Sequence, residues 1–382
     1  MEYSMWAYPW DIIDEGVDTV ADRLTTVGVS EVNVATNYHS IQTFNPHNPA
    51  RRTFFSHASA YFHPGDEYGR LKPIPNEMMG DDDWLATIDK GLRDTPLDLN
   101  SWTIGCHNSR LGEANHDLTL ESPHGDSLIF GLCPSQPAVR EYLVSLLRDL
   151  DSRADFTRIE LETFDYFHGR GFGWHHDKFH TQLGELGEFL FGLCFCESCR
   201  ERGEDAGIDV EQAQQEAADT IDALAESHLP HDVAPGDWLI DHPEVLEYAQ
   251  LRCQGLGELY GDLAAATDAD LGAYIGMFDM ETSWRQGLSL DRLEKHLDYY
   301  KVIAYGSGAA EAVRPVRKAK QLTDAELHAG VLPGHPHVHD EGTLIDIVGS
   351  LEEEGVSRCS FYNYGLLPNR NIDWIESATE TV

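Results

Sequence analysis

The sequence predicts an α/β chain folded as a (β/α)8 barrel, the TIM barrel, on three observations. Short apolar runs rich in β-branched or aromatic residues alternate with longer amphipathic stretches. Eight such runs are present, and the 382-residue length suits one large barrel. The strands are expected at Glu31–Ala35, Thr53–Ala60, Ser101–Gly105, Arg158–Glu162, Gly272–Phe278, Lys301–Ala304, Leu327–Leu332 and Arg358–Tyr362. Between several of them apolar residues recur at helical spacing: Val139, Tyr142, Leu143, Leu146, Leu147 and Leu150, then stretches in Val210–Leu229, Pro243–Ala266, Leu290–Leu297 and Thr343–Glu354. A doubly wound open sheet is the competing arrangement. It usually carries a Gly-rich phosphate turn after its first strand, where this chain has Thr36-Asn37-Tyr38-His39.

Residues 1–382 read as a single barrel domain with two insertions. One, at about 40–85, follows the first two strands and is aromatic and Pro-rich; the other, at about 166–205, follows the fourth and is rich in His, Gly and Cys. Long loops after barrel strands are where such proteins build pockets. No internal repeat, linker or low-complexity tract stands out.

The charge balance is 27 Lys plus Arg against 66 Asp plus Glu, a formal net charge of −39. Phosphate backbones and anionic membrane surfaces are excluded as partners, because both need a basic face. The acidity is spread along the chain and lysine is scarce, a surface that self-repels at low salt and is screened at high salt. This resembles the signature of proteins from extreme halophiles, with an ordinary acidic protein as the alternative. No segment approaches the ~20 apolar residues of a membrane span. The start, Met1-Glu2-Tyr3-Ser4-Met5, lacks the basic and apolar regions of a signal peptide, so a cytoplasmic location is expected.

Seven cysteines, an odd number, argue for thiols over a disulfide scaffold. Cys194, Cys196 and Cys199 form a C-x-C-x-x-C cluster whose spacing suits tetrahedral zinc. Cys133 is the expected fourth ligand. It precedes the helix after the third strand, the cluster follows the fourth, and loops after neighbouring parallel strands are adjacent. Four thiolates would close the shell, so the zinc would be structural; reduced thiols without metal are the alternative. Cys106, Cys253 and Cys359 lie in strand or helix patterns and read as ordinary buried cysteines.

Cys133-Pro134-Ser135-Gln136-Pro137-Ala138-Val139-Arg140-Glu141, a strand ending in a carboxylate, and then C-x-C-x-x-C together resemble the family 42 β-galactosidases. The resemblance spans about Leu132–Arg200 and implies a (β/α)8 barrel with a four-cysteine zinc site and an acid/base glutamate at Glu162. Two features depart from that family. Its Asn immediately before the acid/base residue is Leu161 here, and its strand-seven nucleophilic Glu has no counterpart in Val331-Leu332-Pro333-Gly334-His335-Pro336-His337. Asn45-Pro46-His47-Asn48-Pro49 and Ser360-Phe361-Tyr362-Asn363-Tyr364-Gly365 resemble uncharacterised glycosidase-like barrel proteins.

Glycoside hydrolysis needs two carboxyl groups flanking the scissile bond. Glu160 and Glu162 are two apart on one strand and share a face, with Glu162 nearer the C-terminal mouth. A like-charged neighbour would raise the pKa of one of them, as a general acid requires. A buried ion pair with Arg158 or Arg110 is the structural alternative. Asp279 and Glu281, ending the fifth strand, are the candidate partners of Glu162, and helix or turn capping is their alternative.

Sugar sites combine aromatic platforms with amides, carboxylates, His and Arg. Predicted strand ends supply Asn37, Tyr38 and His39, then His107, Asn108 and Arg110, then Tyr305, Tyr362 and Asn363. Tyr166 and Trp174 lie in the loop after the fourth strand. His335, His337, His339 and Asp340 form an H-x-H-x-H-D run that could serve a catalytic metal, as could His168, His175, His176 and Asp177. The leading function is a glycoside hydrolase acting on a small oligosaccharide or glycoside. The alternatives are a metal-dependent sugar isomerase, epimerase or lyase, using the His335–Asp340 run or His107 with Asp279, and a non-catalytic carbohydrate-binding barrel. Whether the chain forms a homo-oligomer is left open; family 42 members form trimers.

Overall fold

The computed structural model describes residues 1–166, 180–275 and 280–381. Eight parallel strands close into a barrel: β1 (Glu2–Ala7), β2 (Glu31–Tyr38), β3 (Asp98–Ile104), β4 (Arg158–Glu162), β5 (Asp270–Ile275), β6 (Tyr299–Ile303), β7 (Glu326–Val331) and β8 (Arg358–Phe361). Closure comes from β1, which pairs with β8 through Glu2 opposite Arg358 and with β2 through Ser4 opposite Glu31. Helices cover the outside, among them Val17–Thr26, Trp84–Leu92, Pro137–Asp151, Pro243–Ala264, Ala309–Leu322, Glu341–Glu353 and Asn369–Thr381. The predicted helix at Leu290–Leu297 is a single turn, Leu290–Leu293. No helix among the described residues is long and apolar enough to cross a membrane.

One strand assignment is corrected. The barrel begins at Glu2–Ala7, which the sequence reading passed over, and the Thr53–Ala60 run is not a barrel strand. Its first half, Thr53–Ser56, pairs antiparallel with Ile41–Phe44, while Ser59–Ala60 adds antiparallel to the end of β2. The physical reason lies in the connection. A parallel neighbour of β2 needs a crossover of about a dozen residues or more, usually helical, and 36–52 is a Pro- and Asn-rich stretch that turns back on itself.

Alternate residues point into the barrel. Contacts between strands that are not neighbours identify them. Trp6 on β1 reaches Glu160 on β4 at 2.7 Å, and Glu31 on β2 meets Arg158 on β4 at 2.7 Å and Arg358 on β8 at 2.9 Å. The lower barrel is therefore packed with polar side chains, including Ser4 against Ser360 (2.6 Å) and Asn100 donating to Glu31 (2.9 Å). Residues of the other parity, such as Val32, Leu99, Leu161 and Ala329, are buried against the helices. Space for the inward Trp6 side chain comes from Gly330: a Cβ there would lie 2.7 Å from the Trp6 ring.

A second, aromatic cluster carries the hairpin onto the barrel mouth. Trp10 stacks on Tyr8 (4.4 Å between ring centroids) and on Phe54 (4.1 Å), and Tyr61 stacks on Trp84 (6.1 Å). Phe54 thus points into the core, and its strand neighbour Phe55 points out.

Candidate active site

The inner cavity opens at the C-terminal end of the barrel and measures about 300 Å³. Trp6, Tyr38, His39, Trp102, Glu162, Tyr274, Ile303, Tyr305 and Tyr362 line it, so seven of the eight strands contribute at or just beyond their C-terminal ends. Beneath it the polar packing of the barrel forms a floor. Among the described residues lining this cavity, Glu162 is the one carboxylate.

Glu162 ends β4 and is almost wholly buried. Trp102 Nε1 donates to its Oε2 at 2.5 Å. Burial raises its pKa from 4.5 to about 7; the Trp102 hydrogen bond opposes the rise and the Glu160 carboxylate adds to it. No ion pair holds Glu162 among the described residues, so its proton can be given up and regained near neutrality. Thr163, the next residue, has φ of 54°, a left-handed conformation unusual for a β-branched side chain. Backbone hydrogen bonds from Gly105 to Glu162 (3.0 Å) and from Cys106 to Thr163 (2.8 Å) hold this turn against β3. Strain of about 1–3 kcal/mol at such a residue is tolerated where the surroundings over-determine it.

Glu160 is placed differently. Its carboxylate lies below the cavity in an ion pair with Lys301 (2.8 Å), both side chains nearly solvent-free. It also accepts from Trp6 Nε1 (2.7 Å), the Tyr274 hydroxyl (2.7 Å) and Asn33 Nδ2 (3.2 Å). The expected arginine partners do not reach it: Arg158 pairs with Glu31, and Arg110 with Glu77. Glu160 thus anchors two walls of the cavity, Trp6 and Tyr274, from beneath. Asp279 lies outside the described residues. Glu281 falls on the turn Met280–Gln286, its side chain outside what is described.

Four of the predicted sugar-contacting residues, Tyr38, His39, Tyr305 and Tyr362, line the inner cavity. Tyr8 links two of them, its hydroxyl 2.9 Å from that of Tyr362 and 3.4 Å from that of Tyr38. His107 stacks behind His39, ring centroids 4.5 Å apart. The predicted amides serve the backbone. Asn37 donates to the Ile104 carbonyl (2.7 Å), Asn108 accepts from Leu111 N (3.0 Å) as a helix N-cap, and Asn363 accepts from Gly365 N (3.2 Å). Arg110 lines an outer groove with Glu77. Trp6, Trp102 and Tyr274 were not anticipated. Their signal was parity: Trp102 faces Glu160 in the β3–β4 register, and Tyr274 is two residues beyond Gly272, which also faces Glu160.

The four cysteines converge. Sγ of Cys133 lies 3.5 Å from Cys199, 3.6 Å from Cys196 and 3.7 Å from Cys194, and all four thiols are buried. A tetrahedron with Zn–S bonds of ~2.3 Å has edges of about 3.8 Å, so the spacing fits a bound metal and is far too long for disulfides. Glu121 N (3.4 Å to Cys194) and Gln136 Nε2 (3.4 Å to Cys196) donate to the sulfurs. Nearby, the Tyr166 hydroxyl meets Ser135 Oγ at 2.6 Å, joining the loop after β4 to the start of the Pro137–Asp151 helix. The cluster therefore ties the loop before the Pro137–Asp151 helix to the segment around Cys194–Cys199.

Among the described residues no other group of metal-ligating side chains converges. In the His335–Asp340 run, the His335 and His339 rings are 6.2 Å apart, and Asp340 accepts from Thr343 N (2.9 Å) as the cap of the Glu341–Glu353 helix. His168, Trp174, His175, His176 and Asp177 lie outside the described residues.

No protein-family model matches the chain, and no curated protein matches its sequence. Its fold is similar to three solved glycoside hydrolases. The PgaB (BpsB) glycoside hydrolase domain from Bordetella bronchiseptica aligns over 99% of each chain with a TM-score of 0.60 and 13% identity. Alpha-L-fucosidase isoenzyme 2 from Paenibacillus thiaminolyticus aligns with a TM-score of 0.59 and 10% identity, over all of this chain and 49% of its own. The β-galactosidase from Marinomonas ef1 aligns with a TM-score of 0.59 and 10% identity, over all of this chain and 59% of its own. The chain spans about half the fucosidase's length and under two thirds of the galactosidase's. The chain shares their barrel fold. At these identities the likeness extends to the fold.

Proposed function

We propose that the chain is a glycoside hydrolase acting on a small oligosaccharide or glycoside, with Glu162 as general acid/base. The observation that carries this reading is Glu162 itself: a buried carboxyl raised to about 7, with no ion-pair partner among the described residues, on an aromatic-lined cavity. Protonated, it would donate to the glycosidic oxygen as the bond to the anomeric carbon breaks. A second carboxylate would then attack that carbon or activate water, according to whether the pair stands ~5–5.5 Å or ~6.5–9.5 Å apart. Asp279 or Glu281, following β5 beside β4, is the proposed partner. The aromatic walls would stack against the apolar face of the sugar, with the tyrosine hydroxyls available to its hydroxyl groups.

Cys133, Cys194, Cys196 and Cys199 would hold zinc. All four positions of a tetrahedral ion would be filled, so the metal supplies rigidity, not chemistry, to the loop after β4. This cysteine layout and the placing of Glu162 are the points of likeness to the family 42 β-galactosidases. The net charge of −39 supports a protein adapted to a cytoplasm of molar salt.

A second reading, a carbohydrate-binding barrel without turnover, is favoured by Glu162 being the one carboxylate among the described residues of the inner cavity. One experiment separates the two. The protein, kept in molar salt, is assayed against a panel of p-nitrophenyl glycosides and disaccharides, and Glu162→Gln is tested on the unactivated disaccharide of any sugar that is cleaved. Cleavage that disappears in the variant while sugar binding persists supports the hydrolase. Binding without cleavage of any glycoside by the unaltered protein supports the second reading.

A further inference from the structure

The inner cavity does not end at its own rim. Tyr38, His39 and Tyr362 also line an outer groove of about 1020 Å³, a little over three times the inner volume. One wall of the groove is the hairpin Ile41–Phe44/Thr53–Ser56 and the other is the helix Ser109–Ala114. The walls are tied at the base, where Ser40 Oγ lies 3.1 Å from Ser109 Oγ. Strand alternation turns Phe54 into the core and leaves Phe55 55% exposed on the groove, edge-on to His57 at 5.0 Å. A half-exposed aromatic ring among polar groups is what a sugar face covers. Among the described residues the charges in the groove are Glu77, Glu113 and Arg110, and that guanidinium is already paired with Glu77. That balance disfavours an anionic ligand, as does the net charge of the chain.

We infer that the substrate is a neutral oligosaccharide of three or more units, its terminal ring in the inner cavity and the following rings along the groove against Phe55. This rests on the hydrolase reading for its chemistry, though the groove binds whether or not turnover follows. A single ring fills the inner cavity, and the packed polar floor beneath stops a chain from passing through. The groove, at about 1020 Å³ against about 300 Å³ for the inner cavity, has volume for at least two more rings. Each ring that finds a stacking platform adds binding energy, so affinity rises with length until the groove is full.

The test uses gluco-, galacto- and manno-oligosaccharides of two to five units, with oligogalacturonate as the acidic control. For the sugar that is cleaved, kcat/KM should rise about tenfold from disaccharide to tetrasaccharide, equivalent to ~1.4 kcal/mol. Phe55→Ala should bring that ratio close to one. Phe44→Ala, on the same hairpin, exposed and outside the groove, should keep it. A flat length dependence in the unaltered protein, an unchanged ratio in Phe55→Ala, or a preference for oligogalacturonate would overturn the inference, while leaving the hydrolase reading intact if an aryl glycoside is cleaved. If nothing is cleaved, the hydrolase reading falls, and calorimetric affinities over the same series decide the groove alone. Tightening with length that Phe55→Ala abolishes upholds it, and equal affinities overturn it.

Discussion

Replacing Lys301 with Met removes the one cation in contact with Glu160 among the described residues and leaves a carboxylate in the packed interior of the barrel. The two side chains are 1% and 2% exposed and 2.8 Å apart. The remaining partners of Glu160 are the neutral donors of Trp6, Tyr274 and Asn33. Removing one member of so buried a pair costs about 3–5 kcal/mol, because the other charge is stranded without solvent. Glu160→Gln should cost a similar amount, since the Lys301 ammonium would keep neutral partners, the Ser360 hydroxyl (2.5 Å) and the Trp6 ring face (5.1 Å), in place of its carboxylate. The double variant Glu160→Gln/Lys301→Met strands no charge and should cost less than the two singles together by about 2–3 kcal/mol. Denaturant unfolding in molar salt measures all three, with the midpoint moving and the slope constant. Because Trp6 and Tyr274 hang from Glu160, sugar affinity should fall in every variant that folds. Single costs below about 1 kcal/mol that simply add in the double variant would refute the reasoning.

Other outcomes follow from the same geometry. Glu162 has a folded pKa of about 7 against an ordinary 4.5, so the folded state holds its proton over that interval while the unfolded state releases it. Stability therefore falls as pH rises between those values, and Glu162→Gln should be the more stable protein by about 3 kcal/mol above the upper limit, converging with the parent near the lower one. Melting curves across that range test it, and a constant difference would contradict it. Asp11 and Asp165, both raised to about 7 by burial, should steepen the parent's decline over the same range. Cys196→Ser should release zinc, measured by elemental analysis, and lower the melting temperature, while the fully metallated protein should contain one ion per chain; a metal-free parent with the same melting point would contradict it. With a net charge of −39, the protein should lose helical circular dichroism as salt is diluted, and full structure in dilute buffer would exclude dependence on screening.

The alternation of strand and helix patterns made the barrel legible, because each unit repeats the same burial on both faces of a parallel strand. The chain's first strand was not legible, since Glu2–Ala7 is a short run at the chain start. Thr53–Ser56 has strand composition and forms a strand, but composition does not say whether it pairs in the barrel or in a hairpin. Glu162 was readable from its place at a strand end, and the cysteine cluster from its spacing. The amides were misleading for a physical reason: a strand that runs into a turn or helix needs an Asn to satisfy the free N–H groups there, as Asn108 and Asn363 do, and that need selects the same residue a sugar hydroxyl would. Trp6, Trp102 and Tyr274 lie inside strands, where an aromatic reads as core until the barrel's parity is known.

The central claim is that Glu162 gives its proton to the leaving oxygen, and leaving-group dependence tests it most directly. Glu162→Gln should slow cleavage of an unactivated disaccharide by about 10²–10⁴-fold. The same variant should retain most of its kcat/KM for the 2,4-dinitrophenyl glycoside of that sugar, whose leaving group needs no proton. The parent's activity on the disaccharide should decline as pH rises through about 7, and that limb should vanish in the variant. Equal losses on both substrates, or an unaltered pH profile, would show that Glu162 is not the acid.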